Sequence, residues 1–200
     1  MADGIIILAG GKGTRYGSQK QFINFHGKQL WQHVYEKTVE ITSNTVIVGV
    51  DVPSGETRSK SVMNGLHALR EDTEHVLIAE AARPLVTKEQ MKTLLDDEYS
   101  SKTFVMPLVN TVIGRDGTYY DRNKMYELLV PQAFDYKLLL QAYNTGKYTD
   151  MTDETRVMYE EYGIKPKFFE TSQNLYKVTY PQDIAVLELL FQQMKEKQNE

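Results

Sequence analysis

The chain has 200 residues, with 23 Lys and Arg against 27 Asp and Glu, and its formal net charge is −4. This balance excludes the basic surface that nucleic-acid binding requires, so we expect no nucleic-acid partner. Hydrophobic residues make up 41% of the chain, but their runs are shorter than the ~20 residues that span a bilayer, so we expect no membrane association. The absence of cysteine excludes disulfides and thiolate metal sites and favours a cytoplasmic location.

The first hundred residues alternate between short apolar runs and stretches of helical spacing. The run Gly4–Leu8 has no polar alternation, which is typical of a strand buried on both faces of a parallel sheet. Ser59 is predicted to cap one helix, and Thr87 with Gln90 to form the capping box of the next. Strands are predicted at 4–8, 45–50, 75–79 and 103–106, with helices at 29–40, 59–70 and from 87 onward. This order predicts an α/β fold, a Rossmann-like, mostly parallel twisted sheet with helices on both faces.

The second half of the chain changes character. Residues 107–130 are β-rich, with a turn at Asp116-Gly117, and are interpreted as an inserted hairpin, a β-arm. Helices are predicted again at 135–144, 153–162 and from about Pro181 to the charged tail 195–200, with an extended segment at 165–171. No composition break divides the sequence, so residues 1–200 are predicted to form a single domain that carries the β-arm at about 107–130.

A glycine-rich loop follows the first predicted strand, within Leu8–Arg15. Glycines let backbone N–H groups approach anionic oxygens closely, and Lys12 and Arg15 add positive charge, so the loop is typical of a phosphate-binding site. It is not a Walker A loop, and it lacks the third glycine of a dinucleotide fingerprint because Tyr16 stands there. The alternative is a tight strand-to-helix turn with two incidental surface cations.

Several later motifs follow the loop in a fixed order. They are Lys20-Gln21-Phe22, Arg58–Leu66, Ala81–Pro84, Asp121-Arg122, Pro131-Gln132, Thr152–Glu154 and Lys177–Asp183. With the glycine loop, they resemble the cytidylyltransferases that activate 2-C-methyl-D-erythritol 4-phosphate or ribitol 5-phosphate. The glycine loop alone would be a weak signal, since many nucleotide-sugar pyrophosphorylases share it. The resemblance is specific because the motifs occur in order along nearly the whole chain.

The resemblance implies a reaction in which a phosphate oxygen of the acceptor attacks the α-phosphorus of CTP and expels pyrophosphate. A phosphate monoester has a second pKa of about 6, so the attacking group is already ionised at neutral pH and needs no general base. The reaction depends on aligning two polyanions and stabilising growing negative charge. The implied partners are CTP and a small phosphorylated polyol or sugar, and the implied cofactor is Mg²⁺.

The resemblance also implies roles for individual residues. Arg15, Lys20 and Lys177 would be catalytic, binding the triphosphate and stabilising the transition state. Glu80 stands where the family has an aspartate beside the metal, so it is the candidate Mg²⁺ ligand. Solvated surface amines are the alternative for the two lysines, and a loop-fixing ion pair is the alternative for Arg83. The implied nucleotide-binding residues are Leu8, Ala9, Gly10, Gly11, Gly13, Thr14, Gly55, Glu56, Arg58, Ser61 and Ala81.

The resemblance assigns the acceptor phosphate to three further residues. Thr111, Arg122 and Thr152 match family positions that bind it, and the first two would reach in from the arm of a second subunit. An isolated hairpin is poorly stable, so exchange of arms in a homodimer would bury the arm and complete the site. The alternative is a hairpin that folds back on its own domain.

The chain departs from the family pattern mainly near the acceptor. The stretch between Arg15 and Lys20 is short, Ala79 and Val130 replace a usual histidine and threonine, and a helix is expected to be missing after Val50. The Gly-Gly form of the loop resembles enzymes that make CDP-polyols for cell-wall and capsular polymers. Ribitol 5-phosphate is therefore the expected acceptor, with 2-C-methyl-D-erythritol 4-phosphate and a non-catalytic nucleotide-binding relative as alternatives.

Overall fold

The computed structural model describes residues 2–171 and 175–198. Ten short or medium strands lie within these ranges, and six of them form the main sheet. In chain order they are β1 (Asp3–Leu8), β2 (Asn24–Phe25), β3 (Lys28–Gln29), β4 (Thr45–Val48), β5 (His75–Glu80), β6 (Ser101–Pro107), β7 (Val112–Ile113), β8 (Tyr119–Tyr120), β9 (Tyr126–Asp135) and β10 (Lys167–Glu170).

Six α-helices connect or cover these strands in the described part of the chain. They are α1 (Leu30–Val39), α2 (Arg58–Ala68), α3 (Lys88–Leu95), α4 (Tyr136–Asn144), α5 (Glu154–Tyr162) and α6 (Asp183–Gln198). No helix of the described ranges has the length and apolar character needed to cross a bilayer. Residues 49–57 contain no helix, as expected from the short sequence between Val50 and α2.

The main sheet has the strand order β10-β6-β9-β5-β1-β4. β1 runs parallel to both β4 and β5, and β10 runs parallel to β6, whereas β9 is antiparallel to its neighbours β5 and β6. The predicted mostly parallel α/β fold is therefore confirmed. β9 was not predicted as a central strand, and it joins the two parallel halves of the sheet.

The sheet is buried on both faces, which explains the continuous apolar run in β1. Ile5 and Ile7 point to one face and pack with residues of α1 and α3, such as Val34 and Leu94. Ile6 points to the other face and packs with α2, α4 and α5. Successive side chains of a strand alternate between faces, so an apolar residue is needed at every position.

Several predicted element bounds shift in the structure. Thr57, not Ser59, caps α2: its hydroxyl accepts from the amide of Lys60 at 3.2 Å. α2 then ends at Ala68 instead of running to residue 70, and β4 ends at Val48. Val39, in the last turn of α1, is 44% exposed.

The last helix begins at Asp183 and not near Pro181. The carboxylate of Asp183 accepts hydrogen bonds from the amides of Thr179 and Tyr180, at 2.6 and 2.8 Å. These bonds close a turn ahead of the helix, so the helix starts two residues later than its proline suggested. Of the charged tail, residues 199 and 200 lie outside the described residues.

A hairpin projects between β6 and β9. Pro107, the last residue of β6, pairs with Tyr126, the first residue of β9, so residues 108–125 leave the main sheet and are called the arm below. Within the arm, β7 and β8 pair in antiparallel fashion around a turn in which Gly117 has a φ of +87°. Tyr119 is 75% exposed, so the arm has little contact with the rest of its own chain.

Candidate active site

A cavity of about 590 Å³ opens at the carboxyl ends of β1 and β5. This is the edge at which open α/β sheets bind ligands, because the loops that follow parallel strands converge there. Every residue predicted to be catalytic or to bind nucleotide contributes to its wall. These are Leu8, Ala9, Gly10, Gly11, Gly13, Thr14, Arg15, Lys20, Gly55, Glu56, Arg58, Ser61, Ala81 and Lys177, together with Glu80.

The glycine loop owes its shape to close backbone packing. A Cβ on Gly13, which has a φ of +65°, would lie 1.7 Å from the carbonyl oxygen of Ser18. At Gly11, by contrast, no atom of the residues that the structure describes lies within 4 Å of a Cβ position. The buried side chain of Gln21 donates to the Gly11 carbonyl at 3.0 Å and fixes the position of the loop. The loop therefore keeps a fixed backbone with open space beside Gly11, as a phosphate cradle requires.

Three cations gather at one end of the cavity. Lys20 is half-buried, and burial together with the nearby charges of Lys177 and Arg15 lowers its pKa from the ordinary value of 10.5. Like charges of this kind repel each other unless an anion lies between them. The cluster of Lys20, Lys177 and Arg15 is thus suited to a polyanion such as a triphosphate.

Glu80, at the end of β5, pairs with two cations. Its carboxylate lies 2.8 Å from the Nζ of Lys177 and 3.2 Å from the Nε of Arg83. Burial alone would raise the pKa of Glu80, but Lys177, Arg83 and Arg58 lower it to about 2, so the carboxylate is ionised. Arg83 also donates to the Leu175 carbonyl. Arg83 therefore forms the loop-fixing ion pair that the sequence left open as an alternative.

Glu80 fits a divalent cation only in part. Among the described residues there is no group of three or more His, Asp or Glu side chains that could hold a metal ion. Mg²⁺ is commonly held by one or two carboxylates plus substrate phosphates, and it keeps several waters. A single ionised carboxylate beside a phosphate-binding loop fits that mode, and it does not fit an all-protein metal cage.

The loop before α2 forms the opposite wall. Ser61 accepts from the amide of Gly55 at 3.0 Å and donates to the Thr57 carbonyl at 3.0 Å. A Cβ on Gly55 would lie 2.3 Å from the Cβ of Lys60, so only glycine lets the loop approach the helix this closely. Asn64 donates to the Pro53 carbonyl at 2.9 Å. These bonds shape a narrow recess that is polar on its backbone side.

Arg58 has a partner that sequence reasoning did not find. Its guanidinium pairs with the carboxylate of Glu154, which is 0% exposed and lies 96 residues further along the chain. Burial would lower the pKa of Arg58, but the charge of Glu154 raises it, so the guanidinium stays charged. Gln21 was also missed as a site residue. The Arg58–Glu154 pair has no local sequence signature, because it depends on how distant elements pack. Gln21 lies in the Lys20-Gln21-Phe22 motif, but its bond to the Gly11 carbonyl was not predicted.

The predicted acceptor-binding residues lie away from the cavity of their own chain. Thr111 and Arg122 are exposed on the arm, and Arg122 donates to the Val109 carbonyl within the arm. Thr152 is exposed just before α5. None of these three residues lines the cavity, so one chain alone does not bring the acceptor set together with the cations.

Comparison with known proteins identifies the family. The profile of the family described as 2-C-methyl-D-erythritol 4-phosphate cytidylyltransferase matches residues 4–193. The chain belongs to this family. It is accordingly an enzyme, a nucleotidyltransferase of the cytidylyltransferase kind.

Individual relatives agree with the family match. The chain is 30% identical to 2-C-methyl-D-erythritol 4-phosphate cytidylyltransferase from Aquifex aeolicus, over 91% of this chain and 94% of that protein. It is 29% identical to the enzyme of the same name from Alkaliphilus oremlandii, over 96% of each chain. The fold is similar to the crystal structure of 4-diphosphocytidyl-2C-methyl-D-erythritol synthase from Anaerococcus prevotii, with a TM-score of 0.80 and 20% identity, over 96% of this chain and 98% of that one.

These relatives do not support ribitol 5-phosphate as the expected acceptor, or a role in cell-wall and capsule synthesis; they favour the methylerythritol alternative. The Gly-Gly form of the loop misled the prediction for a physical reason. A Cβ on Gly10 would lie 2.2 Å from the Cβ of Ser54, so glycine is required there by packing against the neighbouring loop. That requirement carries no information about the acceptor.

Proposed function

We propose that this protein transfers CMP from CTP to 2-C-methyl-D-erythritol 4-phosphate and releases pyrophosphate. The observation that carries the proposal is the family match over residues 4–193, combined with a cavity in which the cations Arg15, Lys20 and Lys177 face a glycine-rich loop. The substrate named for the relatives is a phosphate monoester, and its reaction with CTP joins two polyanions. A cationic cavity with a backbone cradle suits that chemistry.

The proposed reaction needs no proton abstraction by the protein. An oxygen of the acceptor phosphate attacks the α-phosphorus of CTP, and the bond to the leaving pyrophosphate breaks. Because the second pKa of a phosphate monoester is about 6, the attacking oxygen already carries charge at neutral pH. The protein supplies alignment of the two substrates and positive charge for the oxygens that gain negative charge.

The three cations have separate positions in this proposal. Arg15, at the end of the glycine loop, and Lys20, in the short 3-10 turn Lys20–Phe22 that follows it, would bind the β- and γ-phosphates. Lys177 lies in the same cluster of cations, where the Glu80 carboxylate holds its ammonium group at 2.8 Å, and would contact the α-phosphate. Glu80 would also provide one oxygen to Mg²⁺, which when bound to the triphosphate neutralises part of its charge.

The nucleoside would lie between the glycine loop and the recess before α2. We assign the ribose to the backbone of Ala9–Gly11 and the cytosine edge to the 55–61 segment, of which Gly55, Arg58 and Ser61 line the cavity. A base with a different edge would leave buried polar groups unpaired, which is how such sites discriminate. The full proposed set is Leu8, Ala9, Gly10, Gly11, Gly13, Thr14, Gly55, Glu56, Arg58, Ser61 and Ala81.

The acceptor phosphate is proposed to bind at a dimer interface. Thr152 would come from the same chain, and Thr111 and Arg122 from the arm of the partner. The proposal is supported by the separation of the arm from its own cavity and by the exposed apolar side chains Val109 and Tyr119, at 78% and 75% exposure. Planar guanidinium groups suit phosphate oxygens. A cytoplasmic location, expected from the absence of cysteine, stays part of the proposal.

The test is pyrophosphate release from CTP and Mg²⁺ with 2-C-methyl-D-erythritol 4-phosphate, ribitol 5-phosphate and glycerol 3-phosphate, each compared with a reaction without acceptor. We expect release with the first acceptor and a loss of about 100-fold or more in Lys20→Ala, because one charge stabilising the transition state is removed. Lys92→Ala, on the exposed face of α3, is the matched control and should leave the rate unchanged.

Two results would overturn the proposal. Faster turnover of ribitol 5-phosphate would assign the other acceptor. CTP binding with no release for any acceptor would indicate a nucleotide-binding protein without turnover.

A further inference from the structure

The segment that precedes α5 forms hydrogen bonds with the first turn of α2. Thr57 donates its hydroxyl to the Thr149 carbonyl at 2.6 Å. Ser59 donates to the Met151 carbonyl at 3.0 Å and accepts from the Met151 amide at 2.7 Å. Residues 149–154, called the brace below, thus hold the helix that carries Arg58 into the wall of the cavity.

The last residue of the brace is a buried carboxylate. Glu154 is 0% exposed, and its Oε1 accepts from Arg58 and, at 3.0 Å, from the hydroxyl of Tyr143. Its Oε2 has no hydrogen-bond partner within the ranges that the structure describes. Burying a charged group is costly unless the group is paired, so this carboxylate needs the Arg58 guanidinium in place.

Glu154 and Arg58 differ in whether they line the cavity. Arg58 lines it, whereas Glu154 does not. A guanidinium has five N–H donors, and Glu154 engages only Nη1, so donors remain for a ligand in the cavity. An arginine that is already held in one rotamer loses less conformational freedom when a ligand binds.

We infer that Glu154 is a positioning residue for nucleotide binding: it fixes the Arg58 guanidinium in the cavity wall and never contacts the nucleotide itself. The inference rests on the proposed function, because it takes the cavity to be the CTP site. It also links that site to Thr152, two residues away on the brace, which is proposed to bind the acceptor. The brace would therefore position protein side chains that contact both substrates.

The first measurement is the affinity for CTP, by calorimetry, of Glu154→Gln and of Glu161→Gln. Glu161 is a matched control, because it lies on the same helix and its carboxylate also accepts from a cation and a phenol, Lys147 and Tyr148, at 2.9 and 2.8 Å, outside the cavity. We expect Glu154→Gln to weaken CTP binding at least tenfold, with a smaller change in turnover at saturating CTP. We expect Glu161→Gln to change the affinity less than twofold.

The second measurement follows Arg58 directly and needs no turnover. Phenylglyoxal modifies accessible arginines, and peptide mass spectrometry gives the rate at Arg58. We expect that rate to rise several-fold in Glu154→Gln and to stay unchanged in Glu161→Gln. Tyr143→Phe removes the second donor to Glu154, and with it a contact of the same hydroxyl with Ser59, and keeps the ring packing. It provides a further test if Glu154→Gln does not fold; a smaller increase in the same rate is expected.

The inference is overturned if folded Glu154→Gln or Tyr143→Phe shows neither faster modification of Arg58 nor weaker CTP binding. It is also overturned if Glu154→Gln weakens binding equally in a background that carries Arg58→Met, since the effect would then not pass through Arg58. A wild type that binds CTP but transfers CMP to no acceptor would contradict the proposed function alone. Both measurements would still decide the role of Glu154.

Discussion

At the scale of single residues, Glu80 joins the strand that ends at the cavity to the two cations Lys177 and Arg83. Glu80→Gln should lower the free energy of unfolding at pH 7 by about 2 kcal/mol, because charge-assisted hydrogen bonds to a buried group are lost. The pKa of Glu80 is lowered to about 2 from an ordinary 4.5. The difference between wild type and variant is therefore complete above pH 4.5 and disappears as the pH falls toward 2.

Urea denaturation of both proteins across this pH range measures that difference. Glu188→Gln, which removes a carboxylate from an exposed pair with His26, is the control and should have a small effect. A difference for Glu80→Gln that stays constant down to pH 2 would contradict the assignment of its ion pairs.

Lys20 gives a pH dependence of binding. Burial, Lys177 and Arg15 lower its pKa from 10.5, so its charge is lost at a lower pH than that of an ordinary lysine. We expect CTP affinity to decline as the pH rises above neutrality, because the neutral amine no longer attracts the phosphates. Lys20→Arg keeps its charge throughout and should hold the affinity over the same range. Calorimetric titrations from pH 7 to pH 10 compare the two, and parallel declines would show that Lys20 does not cause the effect.

Individual site residues were predictable where they lie in local motifs. The glycine loop, Arg58, Ser61 and Lys177 all line one cavity, as expected. Glu154 lies in the Thr152–Glu154 motif, but its pairing with Arg58 was not predicted, because the two residues are 96 positions apart. No pattern of neighbouring residues contains that information.

At the scale of elements, the helix α3 has a complete capping box. Thr87 accepts from the Gln90 amide at 3.2 Å, and Gln90 accepts from the Thr87 amide at 2.9 Å. Thr87→Ala should reduce the free energy of unfolding by about 1 kcal/mol, because a first-turn amide loses its acceptor. Pyrophosphate release should not change, since α3 lies outside the cavity.

Thr93→Ala is the matched control for that prediction. Thr93 lies on the same helix, is exposed and bonds only the Glu89 carbonyl one turn earlier, so its removal should cost less than 0.5 kcal/mol, as is usual for surface sites. Equal losses for the two variants in urea denaturation would contradict the capping role of Thr87.

Most elements followed from sequence, and the exceptions have physical causes. The β-branched run of β1 predicts a strand buried on both faces, and the core has Ile5 and Ile6 on opposite faces. Thr57 and Ser59 are both good caps, so composition could not choose between them. The central position of β9 depends on β5 and β6 pairing on either side of it, which is tertiary information.

At the scale of the whole molecule, the proposed dimer predicts complementation between two inactive variants. Lys20→Ala damages the cavity, and Arg122→Ala damages the arm that serves the partner's cavity. In a mixed dimer, one cavity combines an intact Lys20 with an intact Arg122. Unfolding and refolding an equimolar mixture should restore about a quarter of the wild-type activity, since half of the dimers are mixed and each has one intact site.

Each variant refolded alone is the control for that mixture and should stay inactive. A mixture as inactive as its components would show that the arm does not contribute to the site of a second chain. Light scattering of the wild type gives the mass in solution, and a monomer at all concentrations would contradict the dimer directly.

The pairing of Pro107 with Tyr126 has an evolutionary consequence. The arm enters and leaves the sheet at two directly opposed residues, so a tight turn could replace all of 108–125 without moving a strand. We therefore expect insertions, deletions and exchanges in the arm to have little effect on the folding of the sheet. If the arm forms the proposed dimer contact, its surface can change in sequence while the strands that support the cavity stay unchanged.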